Sequence, residues 1–354
     1  MNREATAALL HAEHLLAARK LDAALRQLHY AESIGADPDR CAAGRWTVQM
    51  LFGAFAEAWR ESDAIRVRGR PDPHRLWRGE TLDGKRVILR CLHGFGDAVQ
   101  FLRYAPRLRG LAASLVVEVN PRFVELARHF EGTDEVITWG EAAPAKAPEW
   151  DVQIEIMELP YLFRTGLEEL PLADCYLRLP ARSTAGQIKS QRNEPGPLRV
   201  GLVWTAGGWN SGRSMPFSAL QALLEVPGCE FWSLESGGTD QDALYADQFA
   251  ALRQDAAAEA SILGLAESIA RMDLVITVDT LAPHLAGALG VPCWVLLEHA
   301  ADWRWMHERE DSPWYPTLRL LRQPAPGDWT SALTKAHALL QQRVIMQREL
   351  VCAE

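Results

Sequence analysis

Apolar residues follow two different rhythms along the chain. In residues 1–69 they recur every three or four positions, as at Leu21, Leu25 and Leu28, which predicts amphipathic helices. Beyond this stretch, short apolar runs bounded by turn residues alternate with helical spacing. The runs predict strands at 85–91, 114–119, 135–137 and 151–154, and then at 198–204, 228–234, 273–278 and 291–297. Helices are predicted after Asp97 and at 121–129, 262–272, 283–290 and 329–350.

Strands that alternate with helices imply parallel sheets covered on both faces. Two such series predict an α/β protein with two Rossmann-like domains facing a cleft, preceded by a small all-α segment. The segment 70–74 contains two prolines and predicts a stiff linker, and the polar stretch 182–197 predicts the linker between the two domains. We therefore divide the chain into a helical segment (1–69), an N-terminal lobe (70–185), a C-terminal lobe (186–328) and a C-terminal helix (329–354).

The helical segment contains an internal repeat. Leu21 and Ala24 recur 34 residues later as Phe55 and Ala58, and Asp37-Pro38 separates the two units. This period, with a small alanine where two helices cross, resembles the tetratricopeptide repeat. Only about two units fit, whereas free-standing arrays need three or more, so we expect the segment to pack on the next domain. An unrelated helical cap is the alternative.

The composition narrows the class of protein. Hydrophobic residues make up 48% and charged residues 23%, as in an ordinary globular protein, and the formal net charge of −9 argues against general nucleic-acid binding. No apolar run reaches the roughly 18 residues of a membrane span, and the first residues lack the features of a signal peptide. We therefore expect a cytoplasmic protein. The six cysteines are scattered without zinc-site spacing, which predicts reduced thiols and no metal site.

Ligands of open α/β sheets bind beyond the carboxyl ends of strands, against helix N-termini, and three strand–helix junctions have suitable residues. The first is Gly94-Phe95-Gly96-Asp97, whose glycines allow a tight turn and the close approach of a ligand. Asp97 lies at or near a helix N-cap, so that its carboxylate serves the cap alone or a ligand as well. His93 adds a second titratable group beside it.

The second junction is the loop that follows the strand 198–204. It is rich in glycine and hydroxyl side chains and contains one arginine, although the Walker pattern of phosphate-binding loops is absent. Backbone N–H groups and the guanidinium can together hold a diphosphate, but a surface loop has the same composition. The candidate residues are Trp204, Thr205, Gly207, Gly208, Asn210, Arg213 and Ser214.

The third junction is Asp279-Thr280, where an apolar strand runs directly into a helix with Pro283 in its first turn. Either side chain can cap this helix while it presents oxygens to sugar hydroxyls. His284 lies about one turn into the helix, as a ligand contact or as a packed structural histidine.

Together these residues resemble the signature of glycosyltransferase family 9, the heptosyltransferase-like enzymes, and more closely its bacterial members fused to tetratricopeptide repeats. The segment from Asp279-Thr280 through His284 to Gly290 carries the strongest likeness. Further matches, in order along the chain, are Gly94-x-Gly96-Asp97-x-x-Gln100-Phe101-x-Arg103-Tyr104, Val200-Gly201-Leu202-Val203-Trp204, Arg213-Ser214, Asp302-Trp303-Arg304-Trp305 and Ser312-Pro313-Trp314-Tyr315-Pro316. The likeness covers nearly the whole chain.

The resemblance implies a GT-B fold and an inverting, metal-independent reaction without a cofactor, in which a sugar passes from a nucleotide-diphosphate sugar to an acceptor hydroxyl. It makes Asp97 the catalytic base, with His93 beside it. The implied acceptor-side residues are Gly94, Gly96 and Gln100, and the implied donor-binding residues are the loop residues after Trp204, Leu234, Glu235, Asp279, Thr280 and His284. Glu235 matches the region that meets the nucleoside and is able to accept from ribose hydroxyls.

Two departures leave the donor open. His93 stands where the repeat-fused members usually have glutamine, and the loop with Arg213 lacks the lysine that heptosyltransferases commonly use near the phosphates. The missing lysine argues against ADP-heptose as the donor, and sugars linked to GDP, UDP or TDP stay open. The acceptor is a protein gripped by the repeats, a glycan or a lipid-linked molecule, or else the repeats mediate oligomerisation. Two other functions stay open: a catalytically degenerate scaffold that binds a nucleotide sugar or a partner protein, and a nucleotide-sugar epimerase.

Overall fold

The computed structural model describes residues 3–68, 77–140, 150–171, 175–179, 196–208, 210–235 and 252–352. The predicted linker at 70–74 and nearly all of the predicted linker at 182–197 lie outside these residues. The domain boundaries set in these linkers therefore stay predictions.

The described part of the helical segment folds into α1 (Arg3–Ala17), α2 (Leu21–Ser33), α3 (Pro38–Phe52) and α4 (Phe55–Arg68). Asp37 caps α3 through its side chain, and Gly53 ends this helix in the left-handed conformation with a φ of 74°. The residues that recur at the 34-residue period, Leu21 with Phe55 and Ala24 with Ala58, are all buried. The helical character of the segment is confirmed, and the relationship to tetratricopeptide repeats stays a prediction.

The described part of the N-terminal lobe contains a parallel four-stranded sheet in the order β3-β2-β1-β4. Its strands are β1 (Arg86–Arg90), β2 (Ser114–Val119), β3 (Glu135–Thr138) and β4 (Val152–Glu155), and its helices are α5 (Phe95–Phe101), α6 (Ala105–Arg109), α7 (Val124–Ala127) and α8 (Leu159–Leu162). Short 3₁₀ turns lie at Leu102–Tyr104, Pro121–Phe123, Ile156–Glu158 and Leu167–Glu169. The four predicted strands are confirmed within one or two residues at their ends.

The described part of the C-terminal lobe contains a parallel six-stranded sheet in the order β10-β9-β8-β5-β6-β7. The strands are β5 (Leu198–Val203), β6 (Cys229–Ser233), β7 (Leu252–Gln254), β8 (Leu274–Val278), β9 (Cys293–Leu297) and β10 (Leu318–Arg322). The helices are α9 (Gln221–Leu224), α10 (Ala256–Ala260), α11 (Ile262–Ala270), α12 (Leu281–Leu289) and α13 (Trp329–Cys352), with 3₁₀ turns at Ser211–Arg213, Phe217–Leu220 and Trp303–Trp305. The sequence pattern missed β7 and β10.

The helical segment packs on the α/β body, as expected. A single hydrophobic cluster runs from Met50 and Phe55 of the helical segment through Leu89 of β1 to Val275 of β8. The Trp59 indole in α4 donates to the Thr165 carbonyl oxygen at 2.9 Å. The helical segment is therefore held by both lobes.

The C-terminal helix belongs to the core of the C-terminal lobe. Ala332, Leu333, Ala336 and Leu340 of α13 are buried in one cluster with Leu198 of β5. Because all described strands within each sheet are parallel, their carboxyl ends share one edge, and the candidate junctions follow these ends.

Candidate functional site

A cleft of about 1360 Å³ is lined by residues that directly follow β1, β5, β6 and β8. These residues come from all three candidate junctions, so the fold brings together segments that are far apart in the chain. The predicted site residues that line the cleft are His93, Gly94, Gly96, Asp97, Thr205, Gly207, Arg213, Leu234, Glu235, Asp279, Thr280 and His284.

Five predicted site residues are not among those that line the cleft: Trp204, Gly208, Asn210, Ser214 and Gln100. The Trp204 ring is buried against Phe217, with ring centroids 4.9 Å apart. The Asn210 amide donates to Glu298 at 2.8 Å, and the Ser214 hydroxyl accepts from the Ala206 N–H at 2.9 Å, so both shape the loop behind the cleft. Gln100 is fully buried, and its predicted place on the acceptor side stays a prediction.

Asp97 caps α5 and also faces the cleft. The helix begins at Phe95, and one carboxylate oxygen of Asp97 (Oδ2) accepts from the Gly94 N–H at 3.1 Å. The other oxygen (Oδ1) accepts from Nη2 of Arg304 at 2.7 Å. The side chain keeps 24% of its surface exposed. The cap and a role toward a ligand are therefore compatible at this residue.

Arg304 is the central cation of the site, and its role was not predicted. Its guanidinium donates to Asp97, to Oδ1 of Asp302 at 2.8 Å and to Oε1 of Gln100 at 3.0 Å. Burial opposes the charge, but the carboxylates of Asp302 and Asp97 outweigh it and raise the pKa of Arg304. The buried Gln100 side chain thus helps to orient the Arg304 guanidinium. The Asp302-Trp303-Arg304-Trp305 match was visible in the sequence, without any indication of what the arginine contacts.

Asp279 and Thr280 have different roles at the start of α12: Thr280 caps the helix, and Asp279 pairs with Arg213. The Thr280 hydroxyl accepts from the Ala282 N–H at 3.2 Å and caps the helix. Asp279 is buried, with Oδ2 lying 3.5 Å from Nη1 of Arg213. Burial and the nearby Asp302 raise the pKa of Asp279 to about 6, against the opposing effect of Arg213. Asp279 therefore changes its charge in mildly acidic solution.

His284 is a buried, neutral imidazole at neutral pH. Its Nδ1 lies 2.9 Å from the Tyr315 hydroxyl oxygen, and its ring centroid lies 5.4 Å from that of Trp305. Burial, together with the nearby Arg304, lowers the pKa of His284 to about 3. A Cβ placed on Gly96 would lie 2.8 Å from Cδ2 of His284, so glycine is required where α5 and α12 meet. His284 thus has a packing role as well as a place at the cleft.

Glu235 ties the end of β6 to the loop after β5. One oxygen accepts from the N–H groups of Trp204 and Thr205 at 2.6 and 2.7 Å, and the other accepts from the Thr205 hydroxyl at 2.6 Å. Glu235 also lines the cleft. Its predicted contact with ribose hydroxyls stays a prediction.

His93 lines the cleft from the N-terminal lobe and is half exposed. Its Nε2 lies 3.5 Å from Oε1 of the buried Glu155. The cleft-lining cations of the described residues are Arg122, Arg128, Arg213 and Arg304, against a formal net charge of −9 for the whole chain. The same lining contains six carboxylates, so the arginines supply local positive charge within a cleft that is not basic overall: Asp97, Glu125, Glu235, Glu259, Asp279 and Asp302.

Within the described ranges, no group of three or more His, Cys, Asp or Glu side chains is arranged to hold a metal ion. Among those same residues no helix is both long and apolar enough to span a bilayer. The metal-independent reaction and the cytoplasmic location stay predictions.

Comparison with solved structures places the fold. A family 9 glycosyl transferase from Veillonella parvula superposes with a TM-score of 0.52 and 13% identity, over 76% of this chain and 98% of that structure. ADP-heptose lipopolysaccharide heptosyltransferase II of E. coli gives a TM-score of 0.50 and 16% identity, over 73% and 99%. The chain has the two-domain GT-B fold of the family 9 glycosyltransferases, as the sequence predicted.

Comparison of sequences gives one further relative. Protein FlbA of Caulobacter vibrioides is 25% identical over 364 aligned residues, which cover 91% of this chain and 59% of FlbA. The chain thus spans less than two thirds of the length of that relative. No protein-family model matches the chain.

Proposed function

We propose that this protein is a glycosyltransferase that moves a sugar from a nucleotide-diphosphate sugar to an acceptor hydroxyl. The observation that carries the proposal is a juxtaposition across one cleft. Asp97 projects from the N-terminal lobe, and Arg213, Asp279 and the N-terminus of α12 face it from the C-terminal lobe. A carboxylate opposite an anion-binding surface is the arrangement that transfer from a diphosphate leaving group requires.

The C-terminal lobe supplies the donor side of this proposal. The N-terminus of α12 carries partial positive charge, and Thr280, Leu281 and Ala282 at this end border the cleft. Arg213 lies beside them and adds a full positive charge. These groups favour the negative charge that grows on the leaving diphosphate, so the proposed reaction is independent of a metal ion.

The N-terminal lobe supplies the acceptor side. The acceptor hydroxyl transfers its proton to Asp97 while its oxygen attacks the anomeric carbon and the bond to the diphosphate breaks. Attack from the face opposite the leaving group inverts the anomeric configuration. Arg304 and the Gly94 N–H each occupy one side of the Asp97 carboxylate, which fixes its orientation. The proposed acceptor is a protein or a glycan.

The test has two stages. Thermal unfolding is measured with a panel of nucleoside diphosphates and nucleotide sugars, and one base is expected to raise the Tm. The stabilising sugar nucleotide, labelled in the sugar, is then incubated with peptide, glycan and lipid-linked acceptors. Transfer of label with inverted anomeric configuration supports the proposal. Conversion of the donor without an acceptor would indicate an epimerase, and binding without turnover would indicate a scaffold.

A further inference from the structure

The 3₁₀ turn that carries Arg304 lies between the cleft and the helical segment. Asp302 caps this turn, since its side chain accepts from the Arg304 N–H at 3.0 Å. On the cleft side, Arg304 holds Asp97 at 2.7 Å. On the far side, the segment 301–307, here called the arginine turn, contacts α3 of the helical segment. The helical segment therefore lies one layer behind the candidate base.

The contact with α3 continues directly to the guanidinium. The Trp46 ring in α3 meets the Trp303 ring edge to face, with centroids 5.4 Å apart. Cζ of Arg304 lies 4.6 Å from the centroid of the Trp303 ring. Trp46, Trp303, Arg304 and Asp97 thus form an unbroken series of ring, ring, cation and carboxylate contacts. Cation–π contacts of this kind orient a guanidinium as well as hold it.

The helical segment also holds both ends of the arginine turn. At its start, the Arg19 guanidinium donates to the Ala301 carbonyl oxygen. At its end, the His307 N–H donates to the Leu51 carbonyl oxygen at 2.9 Å. A Cβ placed on Gly53 would lie 3.4 Å from Sδ of Met306, so the end of α3 packs closely there.

The arginine turn needs such support because its backbone is strained. Met306 has a φ of 51° and a ψ of −175°, a region that is nearly restricted to glycine. Such a conformation persists only where its surroundings fix it. Arg322 supplies part of this support by donating to the Met306 carbonyl oxygen at 2.7 Å, and the helical segment supplies the contacts described above.

We infer that Trp46 is a positioning residue for Asp97, acting through Trp303 and Arg304, so that the helical segment is a working part of the active site. This inference rests on the proposed function for its kinetic consequence. It assigns the helical segment a role in the chemical step, besides any role in gripping an acceptor.

The experiment compares Trp46→Ala, Trp46→Phe and the control Tyr30→Ala, an exposed aromatic residue on α2 of the same segment. Trp46→Ala is expected to lower kcat by about 10- to 100-fold, because small displacements of a reacting group are costly. The KM for the sugar nucleotide is expected to stay within about twofold of wild type, since the donor surface is untouched. Trp46→Phe keeps a ring and restores most of the activity, and Tyr30→Ala has no effect.

Hydrogen exchange provides a second readout that needs no turnover. In Trp46→Ala, amides of 301–307 and of 94–97 are expected to exchange faster than in wild type and in Tyr30→Ala. Unchanged kcat, or unchanged exchange at 301–307, in a folded Trp46→Ala overturns the inference. If that variant does not fold, Trp46→Leu replaces it in both measurements. If wild type transfers no sugar, the proposed function fails. The positioning of Asp97 by Trp46 is then tested by hydrogen exchange alone, and unchanged exchange at 301–307 overturns it.

Discussion

The two walls of the cleft differ in how far their titratable side chains are exposed. On the wall from the N-terminal lobe, the titratable side chains are accessible: 50% of His93 and 24% of Asp97 are exposed. On the wall from the C-terminal lobe, the titratable side chains at the junction of β8 and α12 are buried: Asp279 is 7% exposed at its side chain, and His284 is buried as well. One wall presents groups that can exchange protons with a substrate. The other is a preorganised framework whose protonation states are set by burial.

The walls meet at Arg304, which belongs to the C-terminal lobe and pairs with Asp97 of the N-terminal lobe. Because of this pairing, a residue of the C-terminal lobe orients the Asp97 carboxylate on the opposite wall. The comparison predicts that changes on the accessible wall affect the reaction, whereas changes on the buried wall affect ligand affinity and stability.

The largest effect is expected from Asp97→Asn. The amide oxygen can still cap α5, but it cannot accept the proton of the acceptor, so kcat is expected to fall by about 10²- to 10⁴-fold. Affinity for the nucleoside diphosphate, measured by calorimetry, is expected to be unchanged. Asp328→Asn alters another capping carboxylate, far from the cleft beside Ser331, and serves as the control. Full activity in Asp97→Asn would remove the base from the mechanism.

The buried wall makes a prediction about pH and stability. The pKa of His284 is lowered to about 3, so the unfolded chain binds a proton more readily and stability is lost as the pH falls from about 6.5 toward 3. Between pH 7 and pH 4 this loss is about 3 kcal/mol. The deficit of a His284→Gln variant relative to wild type is therefore expected to narrow by that amount over the same range, as measured by urea unfolding.

Asp279 acts with the opposite sign in the same pH range. Its pKa is raised to about 6, so the folded state binds the proton more readily and gains stability as the pH falls from about 6 to 3.8. Asp279→Asn removes this gain of about 2 kcal/mol, and its unfolding free energy should drop more steeply than that of wild type on acidification. Parallel pH profiles for wild type and both variants would contradict the shifted pKa values of these two buried groups.

Arg213→Ala is expected to weaken binding without a comparable loss of kcat. A charge-assisted hydrogen bond to a diphosphate is worth about 1.5–3 kcal/mol, which corresponds to an increase in Kd of roughly 10- to 100-fold. Arg319→Ala, at an exposed arginine paired with Glu310, is the matched control. A Kd equal to that of the control would show that the diphosphate does not contact Arg213.

Local patterns predicted the parts of the fold that are buried on both faces. Strands such as β2 and β8 are continuous apolar runs, and their bounds were predicted to within a residue. Two strands were missed for physical reasons. In β7 only Leu252 of three residues is buried, and β10 interrupts its leucines with Arg319 and Arg322, so neither presents the pattern of a central strand.

The site was predictable only where its residues lie within one motif. The junctions at Asp97, Arg213 and Asp279 were found because each follows a strand. Arg304 was not assigned a role, since it lies 207 residues from its partner Asp97 and no local spacing records such a pairing. The contact of Gln100 with Arg304 was not predicted for a related reason. Residues 98–101 are all buried, so no periodicity distinguishes the face of α5 toward the cleft from the face toward Arg304.

The smallest effect tests whether the buried wall binds ligand through a side chain or through the helix itself. Thr280 caps α12, and Thr280→Ala is expected to cost about 1 kcal/mol of stability while Thr280→Ser retains the cap. If the diphosphate is held by backbone N–H groups and the helix dipole, the Kd of Thr280→Ala changes by no more than about fivefold, because these groups remain. Thr334→Ala, within α13 and away from the cleft, is the control. A much larger loss of affinity in Thr280→Ala alone would mean that the hydroxyl itself contacts the donor. The wall from the C-terminal lobe would then bind the ligand through an accessible side chain, as the wall from the N-terminal lobe is proposed to do.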